Sequence, residues 1–306
     1  MISLHDLQSQ LRFIDSIHED DEQGYEKILK AFINIKDIPA FTNIFYRIGN
    51  DNKPNVTFRT RTHTDSDFFD KIGDISTPPN WIVKSYGRCN RPNQSVFYSS
   101  ENRPTSYMEL VEYWAREKNI GEKISVTIGV WEFQRDLKFY IIPKPNLKER
   151  RTYEEKHYGS IYDQKMAENG FVGHPKQVSD MVFEFMYNKF SKSAKNDKRT
   201  YMITSAFSNL MLASLDIDGI IYPSVPFGGN GYNSAIKKSV VESGALKLVD
   251  VTKDSFIIGE TEEGKHHFVQ YDTFSTKDIN HKTGEIKWNH GLHFLDRLMQ
   301  LKNPFV

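Results

Sequence analysis

The run KISVTIGVWEF, Lys123 to Phe133, sets Ile124, Val126, Ile128 and Val130 at alternate positions, with polar or small residues between them. Side chains leave a strand on opposite faces in turn, so this pattern demands a strand with one face against a core. Helical spacing is as plain elsewhere. Leu4, Leu7, Leu11 and Ile14, then Ile28, Leu29, Phe32 and Ile33, predict two short amphipathic helices that flank the acidic run at 19–22. Val178, Met181, Val182, Phe185 and Met186 mark a third helix, and Phe207, Leu210 and Met211 a fourth. The class is α+β, in a chain of 306 residues that can bury one large core or two small ones.

Further strands are expected at Ala40 to Arg47, ending at the Gly49-Asn50 turn, at Gln94 to Ser99, and at Gly219 to Val225, where Pro223 places the segment at a sheet edge or end. Residues 50–80, polar and broken by Pro54, Pro78 and Pro79, read as a long loop. A helix from Pro104 to Lys118 carries the stripe Tyr107, Leu110, Val111 and Trp114. Beyond Gly244 the runs Leu246 to Val251, Ser255 to Ile258 and Phe268 to Phe274 are strand-like, before a final helix around Leu292 to Leu301. The organisation expected is a helical N-terminal arm (1–38), a central domain (39–244) and a β-rich C-terminal extension (245–306) ending in a helix.

Composition excludes more than it identifies. Lysine plus arginine equal aspartate plus glutamate at 40 each, so no global field points to nucleic acid or to an anionic membrane. The single cysteine, Cys89, permits neither an internal disulfide nor a cysteine-built zinc site and suits a reducing, cytoplasmic setting. The N-terminal stretch lacks a cationic start followed by an apolar block, and no segment approaches the ~18 apolar residues of a membrane span, so neither export nor insertion is predicted.

A local excess of positive charge does appear between Phe41 and Pro104, with nine Lys or Arg against six Asp or Glu. Planar guanidinium groups grip phosphate oxygens in pairs, which makes Arg47 and Arg88, each near a glycine at a turn, candidate anion clamps. Glu109 has two readings: a carboxylate in a cleft, or the N3 member of a capping box opened by Ser106 three residues earlier. Tyr98 is equally a core aromatic or a stacking surface. The glycine cluster at 228–231 lacks the strand-then-helix setting of a dinucleotide fingerprint. His266-His267 and His290 with His293 come without the carboxylates or cysteines of a metal site, and Cys89 without a histidine partner, so no metal is expected and Cys89 is not expected to be a nucleophile.

Arg88 in a Gly-Arg-x-Asn turn, an apolar strand ending in Tyr98 ten residues on, and Glu109 eleven residues after that resemble the core pattern of the RES-domain family. Arg47 looks like the family's upstream arginine, Tyr222-Pro223-Ser224 resembles its valine-proline-serine segment, and Asn233 follows as its downstream asparagine does. The resemblance covers roughly residues 40–240. It departs at Cys89, where the family usually has tryptophan, at Pro92-Asn93, where a Pro-Gly turn is usual, and in the chain's greater length. It implies a fold similar to the diphtheria-toxin type of ADP-ribosyltransferase and a toxin that consumes NAD as substrate, with no cofactor and with a cognate antitoxin as partner. By the same resemblance Glu109, Arg88, Tyr98 and Ser224 would be catalytic, and Arg47, Arg88, Tyr98 and Asn233 would hold NAD. Hydrolysis, phosphorolysis, transfer of ADP-ribose to a macromolecule, and binding without turnover all remain open at this point, as does a homo-oligomer.

Overall fold

The computed structural model describes residues 2–36, 38–41, 45–48, 55–63, 68–114, 118–193, 197–226, 230–260 and 266–288. Its centre is a nine-stranded mixed sheet. The strands are β1 (Phe45–Ile48), β2 (Val56–His63), β3 (Val96–Ser100), β4 (Lys123–Phe133), β5 (Leu137–Ile141), β6 (Gly219–Pro223), β7 (Tyr232–Lys237), β8 (Leu246–Glu260) and β9 (His266–Thr276). They lie in the order β1-β5-β6-β7-β3-β2-β4-β8-β9, and only the β5–β6 pair is parallel. A separate hairpin joins β10 (Ile279–Asn280) to β11 (Glu285–Ile286).

Eight α-helices accompany the sheet among the described residues: α1 (Leu4–Ser16), α2 (Glu22–Asn34), α3 (Ile72–Ile75), α4 (Arg103–Trp114), α5 (Tyr153–Glu168), α6 (His174–Ser191), α7 (Lys198–Ser214) and α8 (Lys238–Glu242). The acidic run before α2 has a local use, since the Asp21 carboxylate caps the helix by accepting from the Gly24 N–H at 3.0 Å. Helix α1 packs on α6 and α2 on α7, while α6 and α7 reach β6. The buried faces Leu7, Leu11, Ile14 and Tyr25, Ile28, Phe32 therefore belong to the same core as Phe139, Tyr140 and Phe207. Leu246, Leu248 and Val251 of β8 join that core too. A second, smaller cluster of Ile124, Val126, Phe256 and Ile258 lies under Tyr107 of α4.

Several expectations are corrected. The segment read as a loop at 50–80 contains β2, whose residues Thr57, Arg59 and His63 are buried. Inward-facing polar side chains hide the alternation that marks an apolar strand. Ala40 and Phe41 belong to a short 3-10 turn, and the strand proper begins at Phe45. The 219–225 segment is no edge: β6 has neighbours on both sides, and Pro223 is its last residue. Leu246 to Ile258 is one strand rather than two, bent by a bulge at β4 and another at β9. Strands β5 and β7 were not foreseen. The Gly49-Asn50 turn, the helix around Leu292 to Leu301 and the side chains of Leu110, Val111 and Trp114 lie outside the described residues. No helix among the described residues is long and apolar enough to cross a membrane.

Candidate functional site

Strand β3 leads into α4 through Glu101 and Asn102, and β7 lies against β3 with Ser100 opposite Asn233. Helix α4 packs on β2, β3 and β7. Between them, under the Gly87–Asn90 turn, is a cavity of about 320 Å³ lined by Arg59, Arg88, Tyr98, Glu109, Tyr201 and Asn233 among others.

Glu109 is not a helix cap. Helix α4 begins four residues earlier than the Ser106 reading requires, and the Asn102 side chain caps it by accepting from the Thr105 N–H at 2.8 Å. Ser106 instead donates to the Phe58 carbonyl at 3.2 Å and meets the Thr60 hydroxyl at 2.6 Å, tying α4 to β2. Glu109 Oε1 accepts from Ser224 Oγ and from Asn233 Nδ2, each at 2.7 Å. Two neutral donors on one oxygen hold the carboxylate in a fixed direction without neutralising it. Ser224 is fully buried, and its N–H donates to the Gly231 carbonyl at 2.8 Å.

The turn that carries Arg88 is built around Tyr98. The phenol oxygen accepts from the Cys89 N–H at 2.8 Å and donates to Asn90 Oδ1 at 2.7 Å. Burial holds the Tyr98 pKa well above the usual phenol range, so the group fixes the turn as a neutral hydroxyl. Gly87 is required at this joint because a Cβ there would lie 2.3 Å from Asn90 Oδ1. Downstream, Gln94 N–H closes a turn on the Arg91 carbonyl at 3.1 Å, with Asn93 at φ 61° after Pro92. Asparagine accepts that left-handed conformation better than other residues with a side chain, and so replaces the glycine of a Pro-Gly turn. Cys89 packs in the core, and burial pushes its thiol up to about 12, which leaves it unreactive as a nucleophile at neutral pH.

Both cations of the cavity are held by carbonyls. Arg88, 8% exposed, donates from Nη2 to the Lys192 carbonyl at 2.9 Å and from Nη1 to that of Lys189 at 3.4 Å, at the end of α6. Its guanidinium also stands 5.3 Å from the centre of the Tyr201 ring. Arg59, 7% exposed, donates from Nη1 to the Tyr98 carbonyl at 2.7 Å and from Nε to that of Ile75 at 3.1 Å, over the Phe97 ring. Burial, then repulsion from Arg61, pulls the Arg59 pKa down, yet a guanidinium remains protonated at neutral pH. Neither arginine makes an ion pair among the described residues.

The fold thus gathers Arg88, Tyr98, Glu109, Ser224 and Asn233 in one place. Arg47 is not among them. It is exposed on β1, at the outer edge of the sheet, paired in register with Lys138 of β5. The strand next to β3 is β2, so the second arginine of the cavity is Arg59, which the sequence reading passed over. Its signal was the alternation Thr57, Arg59, Arg61, His63 within an unbroken run of strand-forming residues.

Larger hollows exist elsewhere. One of about 1270 Å³ lies beside α1 and α6, and one of about 880 Å³ between α2, α7 and the 91–95 turn. Their charged lining residues are largely paired with one another or with neighbours, as Asp180 is with Lys176 and Arg91 with Glu22. Volume alone does not choose a site; a fixed carboxylate in one cavity with two carbonyl-held cations does. Among the described residues no group of three or more His, Cys, Asp or Glu is placed to hold a metal ion, and His290 and His293 lie outside them. Comparison with family models, curated proteins and solved structures finds no match to this chain.

Proposed function

We propose that the chain is an NAD-consuming enzyme of RES type, with the ADP-ribosyltransferase-like fold that the resemblance implies, and that it breaks the bond between nicotinamide and ribose. The observation that carries this reading is Glu109, fixed through Oε1 by Ser224 and Asn233, in one cavity with two buried arginines that have no acidic partner among the described residues. Such cations suit a diphosphate, which supplies the negative charge they lack.

In the reaction the C1′–N bond breaks and its electron pair goes to the nicotinamide ring nitrogen, which loses its positive charge. Positive charge grows on the ribose as an oxocarbenium ion, and a fixed carboxylate stabilises it. Glu109 supplies that carboxylate. Arg59 and Arg88 hold the diphosphate away from the breaking bond, so that binding energy orients the sugar. Tyr98 offers a ring face to stack on, while its hydroxyl serves the Arg88 turn. Water, which gives up a proton to solvent, or phosphate then forms the new bond to that ribose carbon, and the cycle ends as ADP-ribose or its 1″-phosphate. A toxin held in check by a cognate antitoxin is the biological setting that this reading carries with it.

The test is release of nicotinamide from adenine-labelled NAD by the pure protein, with and without phosphate. Label is expected in a small product, and Glu109→Gln should stay folded and bind NAD yet lose turnover by a factor on the order of 100 or more. Label on a macromolecule would convert the reading to a transferase. Intact NAD with the wild-type protein would end it.

A further inference from the structure

The hydrogen bonds around Asn233 have a direction that chemistry dictates. An ionised carboxylate only accepts, so the Asn233 atom 2.7 Å from Glu109 Oε1 must be Nδ2. Oδ1 then faces the other way, and the hydroxyl 2.6 Å from it, that of Ser100, must donate. Ser100 and Asn233 are 3% and 5% exposed and sit opposite each other across β3 and β7. The carboxylate thus decides which way round the amide sits, while the Ser100 hydroxyl anchors its other end; without that donor the buried Oδ1 would lose its partner and the amide would be free to tilt away from Glu109.

We infer that Ser100 is a positioning residue: by donating to Oδ1 it anchors the Asn233 amide with Nδ2 aimed at Glu109 and so steadies one of the two hydrogen bonds that hold that carboxylate. The inference rests on the proposed role of Glu109. Ser100 is itself held in place, because its carbonyl accepts from Thr57 Oγ1 at 3.0 Å on the neighbouring strand. The adjacent hydroxyl pair, Ser99 and Ser234 at 2.7 Å, crosses the same two strands without touching Glu109, and so provides a structural control.

Ser100→Ala should lower kcat for nicotinamide release roughly tenfold, the size of one lost neutral hydrogen bond, with KM within about twofold of wild type. Ser100→Thr keeps the hydroxyl in a strand and should restore kcat. Ser234→Ala removes a buried hydroxyl of the same strand pair and should leave kcat alone. In an Asn233→Ala background Ser100→Ala should add nothing, since a residue that acts through another has no effect once that other is gone. Additive losses, or a change confined to KM, would overturn the inference. The orientation is also readable without turnover, from the side-chain amide resonances of Asn233: slow to exchange with solvent in the wild type, shifted and fast in Ser100→Ala. Unmoved resonances defeat the positioning role even if NAD is cleaved. Moved resonances in a protein that leaves NAD intact would uphold the positioning and place the failure in the proposed reaction.

Discussion

Arg59 carries a charge into surroundings where an unpaired charge is costly. The two carbonyls and the Phe97 ring that hold it offset only part of that cost, and a bound anion would supply the rest. The guanidinium fork explains why this is an arginine: Nε and Nη1 reach carbonyls of two different segments at once, which a single ammonium cannot reproduce. Arg59→Lys should therefore raise KM for NAD at least roughly tenfold while the protein stays folded. Arg47→Ala, on the exposed outer strand, should change neither kcat nor KM. Turnover kinetics on the two variants decide the matter, and a loss of NAD affinity in Arg47→Ala alone would restore the clamp assignment read from the sequence. Arg47 lies apart from the cavity for a physical reason that the sequence does not display. Arg47 and Arg59 both precede the Arg88 turn in strand-like segments, and only strand order shows which of them neighbours β3. Arg88, Tyr98 and Glu109 are singled out by their spacing, and Ser224 and Asn233 by the segments that resemble the RES pattern; Ser100 cannot be, since its place is set by a bond across the sheet.

At the scale of elements, apolar periodicity was legible and polar periodicity was not. Helices α2, α6 and α7 follow their hydrophobic spacing; β4 is a strand as its alternation requires, but Ser125 and Thr127 are buried as well as Ile124, Val126 and Ile128, so both of its faces are covered rather than one, and β2 was lost in a run of threonines and arginines. The start of α4 shows the same difficulty on a smaller scale. Ser-x-x-Glu at 106–109 has the form of a capping box, but Asn-x-x-Thr at 102–105 stands just upstream and does the capping, and the displaced Ser106 bonds to β2 instead. Asn102→Ala should accordingly cost about 1 kcal/mol of stability, and Asn102→Asp should cost little. Glu109→Gln should unfold in urea close to the wild type, because the cap is elsewhere and the amide oxygen of glutamine can still accept from Ser224 and Asn233. Urea titrations of the three variants test this. A destabilised Glu109→Gln beside a neutral Asn102→Ala would return Glu109 to the cap.

For the whole molecule, the divisions expected from the sequence do not coincide with the way apolar surface is shared. Helices α1 and α2 read as an arm because their amphipathic pattern is complete in itself, yet the partners of that face are α6 and α7, some 150 residues or more further along the chain. Tyr25 and Phe32 are almost fully buried, and the Phe32 ring meets Phe207 of α7 edge-on at 5.5 Å. Removing residues 1–38 would uncover the apolar faces of α6 and α7. At ~1.5–3 kcal/mol for each large apolar side chain taken from the core, the loss of Leu7, Leu11, Ile14, Tyr25, Ile28 and Phe32 is on the order of 10 kcal/mol. That is comparable to the entire net stability of an ordinary domain, ~5–15 kcal/mol. The truncated chain should therefore not persist as an active domain with a dispensable arm cut away: near-ultraviolet circular dichroism should lose its aromatic signal, and dye binding should report exposed apolar surface. The same core holds Phe190 against Tyr222, next to the Pro223-Ser224 end of β6, and the α6 carbonyls that seat Arg88, so the cavity should lose its geometry along with the packing. A 39–306 fragment that melts cooperatively near the wild-type temperature and keeps NAD turnover would show instead that α1 and α2 are an independent addition to the catalytic unit.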